Sequence, residues 1–128
     1  MGRTLAFFGE AEKGEFARGY LCQTLPELVT YFGHPPEESR GLFYAIQALL
    51  YRHSLIFFRV HEEGFSLPDY QLGLELLKQE AWLPRLAAFC TPGIGNREIV
   101  DTLIPICLAH HQILLTQEED LFDYLSQG

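Results

Sequence analysis

Basic residues are scarce. Nine Lys and Arg stand against seventeen Asp and Glu in 128 residues, for a net charge of −8, and no two basic residues are adjacent. Duplex DNA and RNA are bound through clustered Lys and Arg. Their absence argues against nucleic acid as a partner, and equally against an anionic membrane surface. Cysteine is also sparse. Cys22, Cys90 and Cys107 form no C-x-x-C pair and no even framework. Neither a zinc knuckle nor a disulfide scaffold is suggested, and three buried, reduced thiols in a cytoplasmic protein are expected. His110 and His111 are neighbours. On a helix they diverge by about 100°, which is wrong for joint metal binding, and no metal site is expected.

Long apolar runs are missing too. The most apolar window, 42–60, is broken by Arg52, His53 and Arg59, so it reads as a helix followed by a strand and not as a membrane span. The opening segment runs into Gly9-Glu10 too soon for a signal peptide, and Ala6 breaks the myristoylation pattern. A cytoplasmic location follows as the expectation.

What is present is ordinary for a globular chain: 48% apolar residues, 20% charged, ten Phe and six Tyr. The length suits one domain, 1–128, able to bury a core without metals or disulfides.

Strand and helix signals alternate. Thr4–Phe8 is a short apolar run ended by Gly9, and Tyr20–Gln23 is a second, shorter strand candidate. Thr24, Pro26 and Glu27 form a helix start: a hydroxyl cap, a proline where no N–H is needed, and an acid reaching back. That helix should turn Leu25, Leu28, Val29 and Phe32 to the core and stop at Gly33. A second helix is expected from Glu37-Glu38 to about Tyr51, with Leu42, Phe43, Ile46, Leu49 and Leu50 as its apolar stripe.

Ser54–Val60 is the clearest strand. Ser66, Pro68 and Asp69 repeat the cap chemistry for a helix to about Gln79 that buries Leu72, Leu76 and Leu77. Leu86–Cys90 is a strand, Asn96 caps a helix containing Pro105, and Gln112–Thr116 is the last strand. Thr116 and Glu119 form a capping box for a short final helix. Such alternation implies a three-layer α/β/α domain, Rossmann-like or flavodoxin-like. Its four- or five-stranded sheet should be mostly parallel, with Leu5–Phe8, Leu55–Val60, Leu86–Cys90 and Ile113–Leu115 all running the same way.

In such sheets ligands bind beyond the carboxyl ends of the strands. Polar residues concentrate in the loops there. Gly93 and Gly95 allow close backbone approach, and the helix that Asn96 opens offers free N–H donors for a phosphate, carboxylate or ribose oxygen. Gly9, Glu10, Glu62 and Asp69 join these three as candidate ligand-binding residues. Only G-x-G of the dinucleotide fingerprint is present. Glu15 stands where a P-loop needs Lys. No motif calls for a cofactor.

The segment Asp69-Tyr70-Gln71-Leu72-Gly73-Leu74-Glu75 resembles the acid-bearing helix of nucleoside 2-deoxyribosyltransferase-like Rossmann-type domains. There an Asp and a catalytic Glu lie six residues apart around a Gly. Gly73 sits four residues after Asp69, where that family has it two after. The resemblance covers the middle third of the chain. It implies a nucleoside or nucleotide ligand, Glu75 as nucleophile, and glycosyl transfer or hydrolysis. A non-catalytic regulatory or interaction module is the alternative, with the aromatic second helix as the face of a homodimer. The residues leave open whether the chain is an enzyme at all.

Overall fold

The computed structural model describes residues 3–126. Five strands, β1 (Thr4–Gly9), β2 (Gly19–Cys22), β3 (Ser54–Arg59), β4 (Leu86–Cys90) and β5 (Ile113–Leu115), form one sheet in the order β2-β3-β1-β4-β5. β1, β3, β4 and β5 are parallel, and only the edge strand β2 pairs antiparallel, with β3. The α/β class and the parallel set read from the sequence therefore stand.

The helices α1 (Leu25–Phe32), α2 (Gly41–Leu50) and α5 (Glu118–Ser126) cover one face, around Leu5, Phe7, Leu55, Phe57 and Cys90. α3 (Leu67–Gln79) and α4 (Arg97–His110) cover the other, around Ala6, Phe8, Ile56, Phe58 and Phe89. Every residue of β1 from Leu5 to Gly9 is buried, as a central parallel strand between two helical layers requires.

The short-range signals place the helix starts where they are local. Thr24 and Glu27 make the reciprocal capping box of α1, and Asn96 accepts from the Glu98 N–H to cap α4. Ser66 does not cap α3. Its hydroxyl is bound to the backbone of Glu62, where it donates to the C=O at 2.9 Å and accepts from the N–H at 3.1 Å. α2 begins at Gly41, not at Glu37, because Glu38 is left-handed (φ 65) and breaks the helix before it starts.

Three faces also differ from expectation. α2 docks on its small residues Gly41, Ala45 and Ala48 together with Leu42, Tyr44 and Leu49, so Phe43 and Leu50 point outward. α3 buries Tyr70, Gly73, Leu74 and Leu77 and exposes Leu72. On α1, Val29 is exposed while Leu28 and Phe32 are buried. On α2 and α3 the reason is shared: small residues let the helix backbone approach the sheet closely, and that contact outweighs a larger side chain one position away. Among the described residues no helix is long and apolar enough to cross a membrane.

Candidate functional site

The chain leaves β1 to one side, toward β3, while β4 lies on the other. The point where strand direction of travel reverses is thus beyond the carboxyl ends of β1 and β4, where this fold class places a ligand crevice. Four segments converge there: the turn after β1, the start of α2, the β3–α3 loop 60–66, and the β4–α4 loop 91–96.

Glu63 ties three of them together. Its Oε1 accepts from the N–H of Glu10 at 3.0 Å and of Gly41 at 3.1 Å, and its Oε2 accepts from the N–H of Arg40 at 2.7 Å. Glu10 returns the contact, since its Oε2 accepts from the Glu63 N–H at 2.9 Å. The amino terminus of a helix with its free N–H groups is an anion site by construction. Here the protein's own carboxylate fills that of α2. Burial pushes the Glu63 carboxyl above its ordinary range, against the pull of the three amides.

The approach is close because the glycines allow it. A methyl group on Gly9 would lie 2.7 Å from the Cα of Gly41 and 2.8 Å from Glu63 Oε1.

The β3–α3 loop continues across the sheet edge to the β4–α4 loop. Gly64, at φ 84, lies so close to Gly93 that no side chain fits. Its C=O accepts from the N–H groups of Gly95 at 3.0 Å and Asn96 at 3.1 Å. Its N–H donates to the buried Tyr70 hydroxyl at 2.7 Å, and Tyr70 in turn stacks on Phe8 with ring centres 5.0 Å apart. Cys90 and Thr91 lie beneath. Burial, with the Glu63 charge added, raises the Cys90 thiol far above its ordinary value. Thr91 Oγ1 is fully buried without a partner.

His61 stands outside this closed crevice. Its ring is 62% exposed, its Nδ1 lies 2.9 Å from Asp69 Oδ2, and its N–H donates to the same oxygen at 2.7 Å. The Asp69 side chain is only 14% exposed. Partial burial raises the Asp69 carboxyl, but the backbone and ring hydrogen bonds from His61 outweigh it and leave the group below its ordinary value. The His61 ring stacks on Phe16 with centres 3.7 Å apart, and the Arg59 guanidinium lies 4.3 Å from the same Phe16 ring.

No family model, curated protein or solved structure matches this chain.

The structure thus brings Gly9, Glu10, Asp69, Gly93, Gly95 and Asn96 to one edge, but not as open donors around a cleft. Gly95 and Asn96 spend their amides on Gly64, Asn96 spends its side chain on α4, and Phe65 covers Gly95. Gly93 is exposed with open space beside it, and Glu62 points to solvent. Glu75 is not brought to this edge. It is exposed on α3 eight residues past Leu67, about 12 Å along a helix that runs away from the strand ends.

Tyr70 and Phe16, the Glu63–Glu10 exchange and the pairing of His61 with Asp69 were not read from the sequence. The one usable signal was a Gly in β-turn context beside paired acids, which reads equally well as an ordinary polar loop. Among the described residues no three His, Cys, Asp or Glu groups gather as metal ligands do.

Proposed function

We propose that this chain is a non-catalytic interaction domain that pairs with a second copy of itself through the outer face of α2. The observation that carries the reading is the closed crevice. A ligand at the switch point would have to strip Glu63 from three amides or Gly64 from two, at about 1–3 kcal/mol for each group left unpaired.

A face suited to self-recognition lies on α2. Its ten residues carry no charge. Phe43, Gln47, Leu50 and Tyr51 follow the helical spacing of one stripe, and Phe43 is 43% and Leu50 59% exposed. Two copies of a chain with net charge −8 repel one another over most of their surface. An uncharged stripe is where they meet with least repulsion. A two-fold axis at Gln47 sets Phe43 of one copy against Leu50 and Tyr51 of the other, an isologous contact. Sedimentation velocity at micromolar concentration should give twice the chain mass. Leu50→Glu should give one chain mass with an unchanged circular dichroism spectrum. A wild-type protein sedimenting as one chain would overturn the pairing.

A second reading, a small-molecule site on the carboxyl edge, is favoured by the His61–Asp69 pair. A carboxylate on Nδ1 fixes the tautomer and leaves Nε2 free for proton transfer. Nearby carboxylates and the filled helix terminus favour a neutral, hydroxylated ligand of nucleoside type over a nucleotide. Under this reading a nucleoside shifts the amide resonances of 61–66 in wild type and not in His61→Ala. Unmoved resonances in wild type would discard it.

A further inference from the structure

Arg or His residues stand at the entry of each of the four parallel strands. Arg3 precedes β1, Arg52 and His53 precede β3, Arg85 precedes β4, and His110 and His111 precede β5. The fold thus brings Arg3, Arg52 and Arg85, three of the nine Lys and Arg residues, with three histidines, from four separate stretches to one end of the sheet. Between them lies an open recess of about 440 Å³ lined by Arg3, Thr4, Arg85, Leu86, Ala87 and His111, with no carboxylate among the lining residues.

The two guanidiniums are unspent. Among the described residues neither has an acidic group within 4.0 Å or a side-chain hydrogen bond to the protein. Helix C-termini attract cations, but carbonyls at the ends of α3 and α4 also take backbone donors. Glu80, Ala81 and Trp82 donate to Leu76, Lys78 and Leu77, while His111 and Gln112 donate to Cys107. Among the described residues neither the Arg3 nor the Arg85 guanidinium is hydrogen-bonded to a helix-end carbonyl.

The donors are also placed. The Arg85 guanidinium lies 4.0 Å over the Trp82 ring centre, which fixes its plane and leaves its in-plane N–H groups open. Gln112 Nε2 donates to the carbonyls of Leu83 and Leu86 and pins the turn that presents Arg85. His111 ends α4 in the left-handed conformation, φ 55, so its ring leaves the helix at a fixed point. The Arg3 N–H donates to His53 Nδ1 at 3.1 Å, which anchors the start of β1.

We propose that this recess is an anion site that takes a phosphate group of a small molecule, with Arg3 and Arg85 as paired guanidinium donors and His111 as the third. Two guanidiniums suit a dianion better than a single carboxylate, and their fork geometry fits tetrahedral oxygens. The site lies at the opposite end of the sheet from the closed crevice and stands independently of the pairing through α2.

The test is an amide-resonance titration of the whole chain with inorganic phosphate and with glycerol phosphate, against sodium chloride at equal ionic strength. Saturable shifts confined to Thr4, Leu86, Ala87 and His111, present with both phosphates and absent with chloride, are expected. A response to inorganic phosphate alone identifies the free ion as the occupant and still supports the site. Arg3→Gln should weaken binding by about tenfold, equivalent to about 1.4 kcal/mol, and Arg85→Gln by at least as much. Arg3 is exposed and outside the core, so its variant keeps the test valid if Arg85→Gln disturbs Trp82. Non-saturating shifts, shifts reproduced by chloride, or an affinity unchanged in Arg3→Gln would overturn the proposal.

Discussion

A carboxylate with two oxygens serves three backbone donors at position 63, and among the described residues no other side chain does the same. Glu63→Ala leaves the amides of Glu10, Arg40 and Gly41 without their acceptor. Arg40 is exposed and recovers water, so the expected loss is on the order of 3 kcal/mol, read from urea unfolding. A loss under about 0.5 kcal/mol would show that the knot is not formed. Titration gives a second readout. The folded-state value of Glu63 is raised, so its favourable contribution is full below the ordinary Glu range and is lost as pH rises through the raised value. Asp69 is lowered and behaves oppositely: its contribution is present above the ordinary Asp range and is lost as pH falls through the lowered value. Glu63→Gln should therefore remove the gain in stability on mild acidification, and Asp69→Asn should remove the loss at more acid pH. Stability against pH for the two variants checks both signs. The cysteines were legible from the sequence as inert thiols. All three are buried and free, and burial, then the Glu27 charge, pushes Cys22 up to about 12. Native protein should react with no equivalent of a thiol reagent, and denatured protein with three. The Glu63 contacts were not legible, since Glu10 and Glu63 are 53 positions apart and nothing local to either fixes the meeting.

At the scale of elements, what could be read was whatever is decided within a turn or two. The Thr24–Glu27 box, the Asn96 cap and the Gly33 stop all lie within four residues of the backbone they serve. Which way a helix faces is decided by the sheet beneath it, and there hydrophobicity misled. α2 offers large apolar groups nearly all round, and the face chosen is the one with Gly41, Ala45 and Ala48. Gly73 does the same for α3, where a methyl group would meet the Phe8 ring at 2.5 Å. The consequence is testable by a pair of substitutions on one helix. Ala48→Leu overpacks the contact and should cost about 1–3 kcal/mol. Leu50→Ser, at the most exposed apolar position of the outer face, should cost clearly less than that. Equal losses from the two in thermal unfolding would mean that α2 is turned the other way.

Over the whole molecule, helix direction and charge agree. α3, α4 and α5, each following a parallel strand, carry acids in their first turns, and α3 and α4 carry Lys78 and His110 in their last. That ordering was legible from the alternation of elements, as was the parallel sheet. The donors expected at the strand ends are taken up internally, because the loop after β3 is long enough to cross the end of β1 and reach Gly93, and its own Glu63 and Gly64 accept from them on the way. Hydrogen exchange at the single amides of Glu10, Gly41, Gly95 and Asn96, followed with and without adenosine, tests this closure most directly. Protection comparable to that of neighbouring β1 amides, unchanged by the nucleoside, is the predicted result. Exchange at open-chain rates, or slowing only when adenosine is added, would contradict it and restore a vacant site at the strand ends.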